Sequence, residues 1–169
     1  MVFIDFDGVI LDTEELLFEK WRMNPDRYLL PESEKIKYIQ EIDWRYVLYN
    51  SPIINDSIYY LKQLDPSKSF ILTKVHSLTN EANNKIIWSR DNDIKQSVII
   101  VPYTQKKTDL VPVNGNLLVD DSLRNLDEWV YKNGEVLFFD KDNDNYDSWD
   151  EPNTKGYQKV LNLSSLINK

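Results

Sequence analysis

The chain has 169 residues, no cysteine, a single histidine and a formal net charge of −8. This length predicts one domain that buries roughly 70% of its unfolded surface without the help of disulfides. The composition excludes thiolate metal sites and a cysteine nucleophile, and it disfavours sites that need several histidines, so a metal would have to be held by oxygen. The acidic charge argues against binding to duplex nucleic acid, which requires lysine and arginine.

The sequence also lacks the signals of membrane targeting. No apolar stretch approaches the roughly 18 residues of a membrane span, and the first residues do not form a secretory signal. We therefore expect a cytoplasmic protein without a membrane partner, either a monomer or a homodimer.

Short apolar runs alternate with helical patterns along the chain. The runs, which predict β-strands, cover residues 2–6, 69–73, 97–101, 116–120 and 135–139. Helical spacing of apolar residues covers 13–22, the stretch from Pro31 past Tyr46, 51–64, 77–89 and 122–134. This alternation predicts an α/β fold whose parallel sheet is covered on both faces. Right-handed crossovers around a central first strand predict the strand order 5-4-1-2-3.

Residues 13 to about 50 interrupt this alternation. They hold two helical patterns before the helix predicted at 51–64, for which Ser51 would be the N-cap and Pro52 the first residue. We interpret 13–50 as a small helical cap insertion within a single domain that covers 1–169. After Asp140 the chain is polar until VLNLSSL, residues 160–166, which we expect to pack on the core.

Carboxylates, a threonine and lysines follow the ends of the predicted strands. They are Asp5 and Asp7 after the first strand, Thr73 after the second, Asp120 and Asp121 after the fourth, and Lys106 and Lys107 between the third and fourth. Ligands of open α/β sheets bind at the carboxyl ends of the strands. Carboxylates that converge there repel one another, so a cation must neutralise them or some must stay protonated. Magnesium suits such oxygen ligands and also binds phosphate oxygens.

These residue types suit phosphoryl transfer. One aspartate can attack phosphorus and become an aspartyl phosphate, while a second carboxylate protonates the leaving oxygen and then activates water. Gly8 permits a tight turn that lets nearby backbone amides face the transferred group.

The segments DFDGVILDTE, ILT, YTQKKTD and LLVDD resemble, in this order, the four motifs of the haloacid dehalogenase (HAD) superfamily. The resemblance covers essentially the whole chain and implies a Rossmann-like core. The stretches ILTKVHSLTNEANNKIIW, VPYTQKKTDLV and LLVDDSLRNLDEWVYKNG resemble the 5'-nucleotidase branch, which includes 5'(3')-deoxyribonucleotidases. The implied activity is a magnesium-dependent phosphomonoesterase acting on a small phosphorylated metabolite, with a (deoxy)nucleoside 5'-monophosphate as a candidate substrate.

The resemblance also implies a role for each matching residue. Asp5 would be the nucleophile and a magnesium ligand, and Asp7 the general acid/base that offers its backbone carbonyl to the metal. Asp121 would bind magnesium directly, and Asp120 directly or through water. The implied phosphate-binding residues are Gly8, Thr73, Lys74 and Lys107, with Lys106 as the alternative to Lys107.

Other interpretations stay open at this stage. The fold could belong to a catalytically silent regulatory protein that binds phosphate or metal, or to a phosphomutase or polynucleotide phosphatase. A dehalogenase is disfavoured, because a departing halide does not need the acid that Asp7 provides. The predicted cap is shorter than the caps of many family nucleotidases, which bears on nucleotide specificity.

Three further features have a structural interpretation. His76 is expected to make local hydrogen bonds, and Trp44 and Tyr46 to pack in the cap or to line a substrate pocket. The acidic stretch 140–151 has oxygen-bearing residues at several EF-hand positions, but Asn145 replaces the required glycine and a strand precedes it. We interpret this stretch as an acidic loop rather than a calcium site.

Overall fold

One parallel sheet of six strands forms the centre of the structure, a computed structural model that describes residues 1–26, 28–141 and 156–167. The strands are β1 (Val2–Ile4), β2 (Ser69–Val75), β3 (Ser97–Pro102), β4 (Leu117–Asp120), β5 (Glu135–Phe139) and β6 (Lys159–Val160). Their order is β3-β2-β1-β4-β5-β6, with every neighbouring pair parallel. The predicted order of the first five strands is confirmed, and β6 is an additional edge strand of two residues.

Six helices connect or flank the strands in the described ranges. They are α1 (Glu14–Met23), α2 (Glu32–Glu41), α3 (Trp44–Asn50), α4 (Ser57–Leu61), α5 (Glu81–Asp91) and α6 (Leu123–Tyr131). Single 3₁₀ turns cover Lys107–Asp109 and Leu163–Leu166. Among the residues described, no helix is long and apolar enough to cross a bilayer.

Two predicted helices were wrong in their extent. The pattern that follows Pro31 forms two helices, because the Asp43 carboxylate accepts a hydrogen bond from the Tyr46 amide and begins α3. Ser51 does not begin a helix but ends α3. The next residues instead hydrogen-bond to the loop after β1, through Asp12 N–H to the Pro52 carbonyl (3.0 Å) and Ile54 N–H to the Ile10 carbonyl (3.0 Å). These tertiary hydrogen bonds override the local helical pattern.

The strands bury apolar side chains on both faces of the sheet. Ile4, Ile71 and Val119 belong to one buried cluster, whereas their neighbours Phe3 and Leu118 belong to the other. This arrangement confirms that the continuous apolar runs mark strands covered on both sides.

Helices α1–α3 occupy the region predicted as a cap. The Asn80 side chain, at the start of α5, donates hydrogen bonds to the carbonyls of Gln40 (3.0 Å) and Ile42 (2.9 Å). In return, the Gln40 amide donates to the His76 carbonyl (2.9 Å). These bonds join the end of α2 to the segment between β2 and α5.

The C-terminal segment packs on the core, as predicted. Val160, Leu163 and Leu166 are buried in the same apolar cluster as β1. The Asn55 side chain donates to the carbonyls of Lys141 (3.1 Å) and Leu161 (2.6 Å), and so joins the end of β5 to the segment after β6. Apart from Asp140 and Lys141, the predicted acidic loop lies outside the described residues.

Candidate active site

The carboxyl ends of β1 and β4 bring three aspartates together. Asp5 directly follows β1, and its amide donates to the Val119 carbonyl of β4 (2.9 Å). Asp120 ends β4, and Asp121 follows it. Asp5, Asp120 and Asp121 each offer one carboxylate oxygen, and these oxygens all lie within 4.8 Å of one another.

A buried lysine neutralises part of this charge. The Lys107 ammonium lies 2.7 Å from Asp5 Oδ1 and 2.7 Å from Asp120 Oδ2. Lys106 instead points to the surface and pairs with Glu128 at 3.2 Å. Of the two candidate lysines, the structure therefore brings Lys107 to the predicted nucleophile.

Burial and the surrounding charges shift the pKa values of this cluster. Burial, followed by the negative charge of Asp120, raises the pKa of Asp5 from 3.8 to about 7, although Lys107 opposes the shift. Burial disfavours the charged form of Lys107, but the charges of Asp120 and Asp5 outweigh it and raise the pKa of this lysine. Three carboxylates around one ammonium therefore leave an excess of negative charge.

The donor set fits a magnesium ion, because it consists of carboxylate oxygens with excess negative charge. Asp120 already accepts hydrogen bonds from the Ser122 amide (2.9 Å) and the Asn125 side chain (3.1 and 3.0 Å), besides the bond from Lys107. No such set of bonds engages Asp121 among the residues described, so the carboxylate of Asp121 is more available to a cation than that of Asp120.

Gly8 is needed for the close approach of Asp121. Its φ of +75° lies in the left-handed region, and a Cβ at this position would stand 1.9 Å from Asp121 Oδ2. The Gly8 amide donates to the Leu11 carbonyl (2.8 Å), so it is committed to the turn. Gly8 thus makes the predicted tight turn, with its own N–H group used inside that turn, and its contribution to phosphate binding stays a prediction.

Asp7 lies beside a second buried lysine, which the sequence analysis missed. The Lys85 ammonium is 2.5 Å from Asp7 Oδ2, 2.8 Å from Glu81 Oε1 and 3.0 Å from Thr73 Oγ1. Glu81 and Lys85 are four residues apart on α5, a spacing that by itself indicates an exposed helical ion pair. This pair is buried only because α5 packs on the sheet. Apart from the spacing, the sequence does not indicate that Glu81 and Lys85 are buried.

A cavity of about 660 Å³ opens above these residues. Asp5, Asp7 and Asp121 line one side, and the aromatic and aliphatic residues Leu17, Phe18, Ile39 and Trp44 of α1–α3 line the other. Lys74 and His76 also line it. Trp44 is buried, as expected from packing, and also lines this cavity, whereas Tyr46 is largely exposed and is not part of the described lining. The His76 amide donates to Glu81 (2.7 Å), the expected kind of local contact.

Comparisons with known proteins reveal the fold of the chain but no close relative. No protein-family model matches the sequence, and no match was found among curated proteins. The structural neighbours are HAD-superfamily hydrolases, and the chain has their Rossmann-like α/β fold.

Three of these neighbours span nearly the whole chain. One, assigned as the HAD-hydrolase YfnB from Bacillus subtilis and bound to magnesium, has a TM-score of 0.63 at 13% identity, over 99% of this chain and 96% of that one. L-2-haloacid dehalogenase from Xanthobacter autotrophicus has a TM-score of 0.60 at 13% identity (99% and 96%). D,D-heptose 1,7-bisphosphate phosphatase from Burkholderia thailandensis has 0.55 at 11% (99% and 95%). Because these neighbours include a phosphatase and a dehalogenase, the reaction has to be argued from the site.

Proposed function

We propose that this protein is a magnesium-dependent phosphomonoesterase that works through an aspartyl phosphate on Asp5. The observation that carries the proposal is the convergence of Asp5, Lys107, Asp120 and Asp121 at one sheet edge, with Asp7 opening into the same cavity. Magnesium held by Asp5, Asp121 and the Asp7 carbonyl, with Asp120 bound directly or through water, would neutralise charge on the phosphoryl oxygens.

The proposed reaction has two steps. In the first step a carboxylate oxygen of Asp5 attacks phosphorus, the bond from phosphorus to the leaving oxygen breaks, and Asp7 gives that oxygen a proton. In the second step Asp7 takes a proton from water, the water oxygen attacks phosphorus, and the bond to Asp5 breaks to release phosphate. Thr73 and Lys74 are the proposed donors to the phosphoryl oxygens, and Lys107 holds Asp5 in place.

Asp7 favours this reaction over dehalogenation. Its two oxygens accept hydrogen bonds from Thr13 (2.9 Å) and Lys85 (2.5 Å), so the structure holds this carboxylate firmly at the cavity. A leaving alkoxide needs a proton from such a group, whereas a halide does not. The presence of every residue that the reaction requires also disfavours a catalytically silent regulatory protein.

We propose a small phosphorylated metabolite of the cytoplasm as the substrate. A cavity of about 660 Å³ lies within the usual range for small-molecule sites. The segments that resemble the 5'-nucleotidase branch support a (deoxy)nucleoside 5'-monophosphate, and the apolar wall of Leu17, Phe18, Ile39 and Trp44 suits a base or another flat apolar group.

The test is a screen of phosphorylated metabolites, with nucleotides, sugar phosphates and a phosphorylated oligonucleotide, in magnesium and in EDTA. We expect release of phosphate from small monoesters in magnesium only, and loss of turnover in Asp5→Asn. Asp93→Asn is the matched control, because Asp93 is an exposed aspartate with a φ of +58° that asparagine tolerates well. Full activity in EDTA, or near-normal activity of Asp5→Asn, would contradict the proposal.

A further inference from the structure

Lys85 is a buried charge to which the two proposed steps assign no role. It is fully buried, and its ammonium contacts Asp7, Glu81 and Thr73 at 2.5, 2.8 and 3.0 Å. It also lies over the rings of Phe6 (5.3 Å) and Trp44 (5.2 Å). Burial of an ammonium group costs free energy unless the group is paired and hydrogen-bonded. Lys85 meets this condition through two carboxylates and one hydroxyl.

We propose that Lys85 is a positioning residue that holds Asp7 in the orientation that phosphoryl transfer requires. The proposal rests on the function proposed above. Lys107 contacts the predicted nucleophile Asp5, and Lys85 contacts the predicted acid/base Asp7. Each aspartate of the DFD segment therefore has its own buried lysine.

The contact with Asp7 restrains a side chain that would otherwise move. The Asp7 side chain is 34% exposed and borders the open cavity, so packing alone does not fix it. Lys85 from α5 holds Oδ2, and Thr13 at the start of α1 holds Oδ1. Donors from two different elements therefore fix the plane of the carboxylate that must reach the leaving oxygen. A displacement of about 1 Å in such a group can cost roughly 100-fold in rate.

The contact with Lys85 makes the Thr73 hydroxyl oxygen a hydrogen-bond acceptor. A hydroxyl has one hydrogen to donate and two lone pairs to accept with. Because Lys85 is a donor only, Thr73 Oγ1 must accept from it, and its hydrogen is left for another partner. That hydrogen has a weak contact with the Lys74 carbonyl at 3.3 Å. Thr73 is fully buried and is not among the described residues that line the cavity.

The test removes the ammonium without leaving a buried charge behind. Lys85→Met alone would leave the buried Glu81 carboxylate without its ammonium partner, so the informative variant is Lys85→Met/Glu81→Gln. Ser89→Ala is the matched control, because it removes a buried hydrogen bond to the Lys85 carbonyl (2.8 Å) on the same helix and leaves the ammonium in place.

Two substrates separate an effect on Asp7 from a general loss of activity, because only one of them needs a proton from Asp7. For the Lys85→Met/Glu81→Gln variant we expect kcat to fall about 100-fold on an alkyl phosphate, whose leaving group needs a proton, but less than about tenfold on p-nitrophenyl phosphate. In an Asp7→Asn background the same pair of changes should cost less than about threefold on the alkyl phosphate, because Lys85 acts through Asp7. Equal losses on both substrates, or the full loss repeated in the Asp7→Asn background, would overturn the proposal.

A crystal structure of the double variant gives a readout that does not depend on turnover. We expect the Asp7 carboxylate to rotate away from its position between Thr13 and residue 85, and an unchanged Asp7 would overturn the proposal. If the unaltered protein hydrolyses no phosphate ester, the proposed function fails, and this crystal structure alone then decides whether Lys85 positions Asp7.

Discussion

Asp5 and Asp7 are two residues apart but have different surroundings. Asp5 is buried against Lys107 and Asp120, while Asp7 borders the cavity and is held by Lys85 and Thr13. The sequence predicted the meeting of the aspartates, because the ends of parallel strands share one edge. It could not predict Lys85, since a lysine four residues after a glutamate usually faces solvent.

The two aspartates should respond differently to amide substitution. Asp7→Asn keeps the backbone carbonyl proposed for the metal, so we expect magnesium binding to persist. Turnover of alkyl phosphates should fall by about 10²–10⁴-fold, because the general acid is lost, and p-nitrophenyl phosphate should suffer less in the first step. Steady-state kinetics on both substrates, with calorimetric titration of magnesium, measures this.

The same variant should trap the intermediate. Without Asp7 to activate water, the phosphorylated enzyme should accumulate, and mass spectrometry after a rapid quench should find one added phosphoryl group on Asp5. Equal rate losses on every leaving group without any trapped phosphate would show that the two roles are misassigned.

Gly8→Ala should damage the metal site more than the fold. Both Gly8 and Gly115 have a positive φ, but a Cβ at Gly8 meets Asp121 whereas one at Gly115 has no heavy atom within 4 Å. Gly115→Ala should therefore cost only about 1–2 kcal/mol of backbone strain. Gly8→Ala should add displacement of Asp121 and weaken magnesium binding, which denaturant unfolding and calorimetric titration can separate. Similar magnesium affinities in the two variants would contradict the importance of this close approach.

At the scale of elements, the predictions held for the first five strands and for helices α1, α5 and α6, and were wrong in extent for two helices. Runs such as SFILT and EVLFF contain enough β-branched and aromatic residues to predict strands without tertiary information. The helix predicted at 51–64 begins only at Ser57, because residues 52–54 bond to the loop after β1. Strand β6 was missed because two residues carry no periodic pattern, and only its neighbour β5 makes it a strand.

The junction between α2 and α5 should depend on one asparagine. Asn80→Ala removes two hydrogen bonds to backbone carbonyls, each worth about 1 kcal/mol, so α2 and α3 should open at least roughly tenfold more often. Hydrogen exchange measured by mass spectrometry should show faster exchange in residues 32–50 and unchanged exchange in β4. Asn83→Ala on the same helix is the control, since its side chain bonds only to the Thr79 carbonyl on the surface. If Asn83→Ala increased the exchange of residues 32–50 as much as Asn80→Ala, the hydrogen bonds of Asn80 would not be what holds α2 to the start of α5.

At the scale of the whole molecule, ionised Asp5 lowers the free energy of unfolding when no cation is bound. The pKa of Asp5 is raised to about 7 in the folded protein, chiefly by burial and Asp120, and is ordinary in the unfolded chain. The folded state therefore binds this proton more tightly. The destabilisation from ionised Asp5 is present above about pH 7 and is relieved as the pH falls below it.

Magnesium should consequently stabilise the protein more at high pH. At about pH 8 the cation finds Asp5 ionised, whereas at about pH 5 it must displace a proton, so the increase in melting temperature with magnesium should be larger at pH 8. Thermal unfolding with and without magnesium at both pH values measures this. Asp5→Asn should reduce the difference between the two pH values, and the rest should come from Asp121, whose pKa burial and the charge of Asp120 also raise. A magnesium effect independent of pH would contradict the assignment.

Asn55 has a consequence for how the chain between β5 and β6 can change. Its side chain ties together two carbonyls, those of Lys141 and Leu161, that lie on either side of that stretch in sequence. The entropic cost of joining two fixed points grows only logarithmically with the number of residues between them, so doubling that number costs about 0.6 kcal/mol. We therefore expect insertions between positions 141 and 156 to leave the sheet edge that carries Asp5 and Asp121 in place, provided that Asn55 is kept.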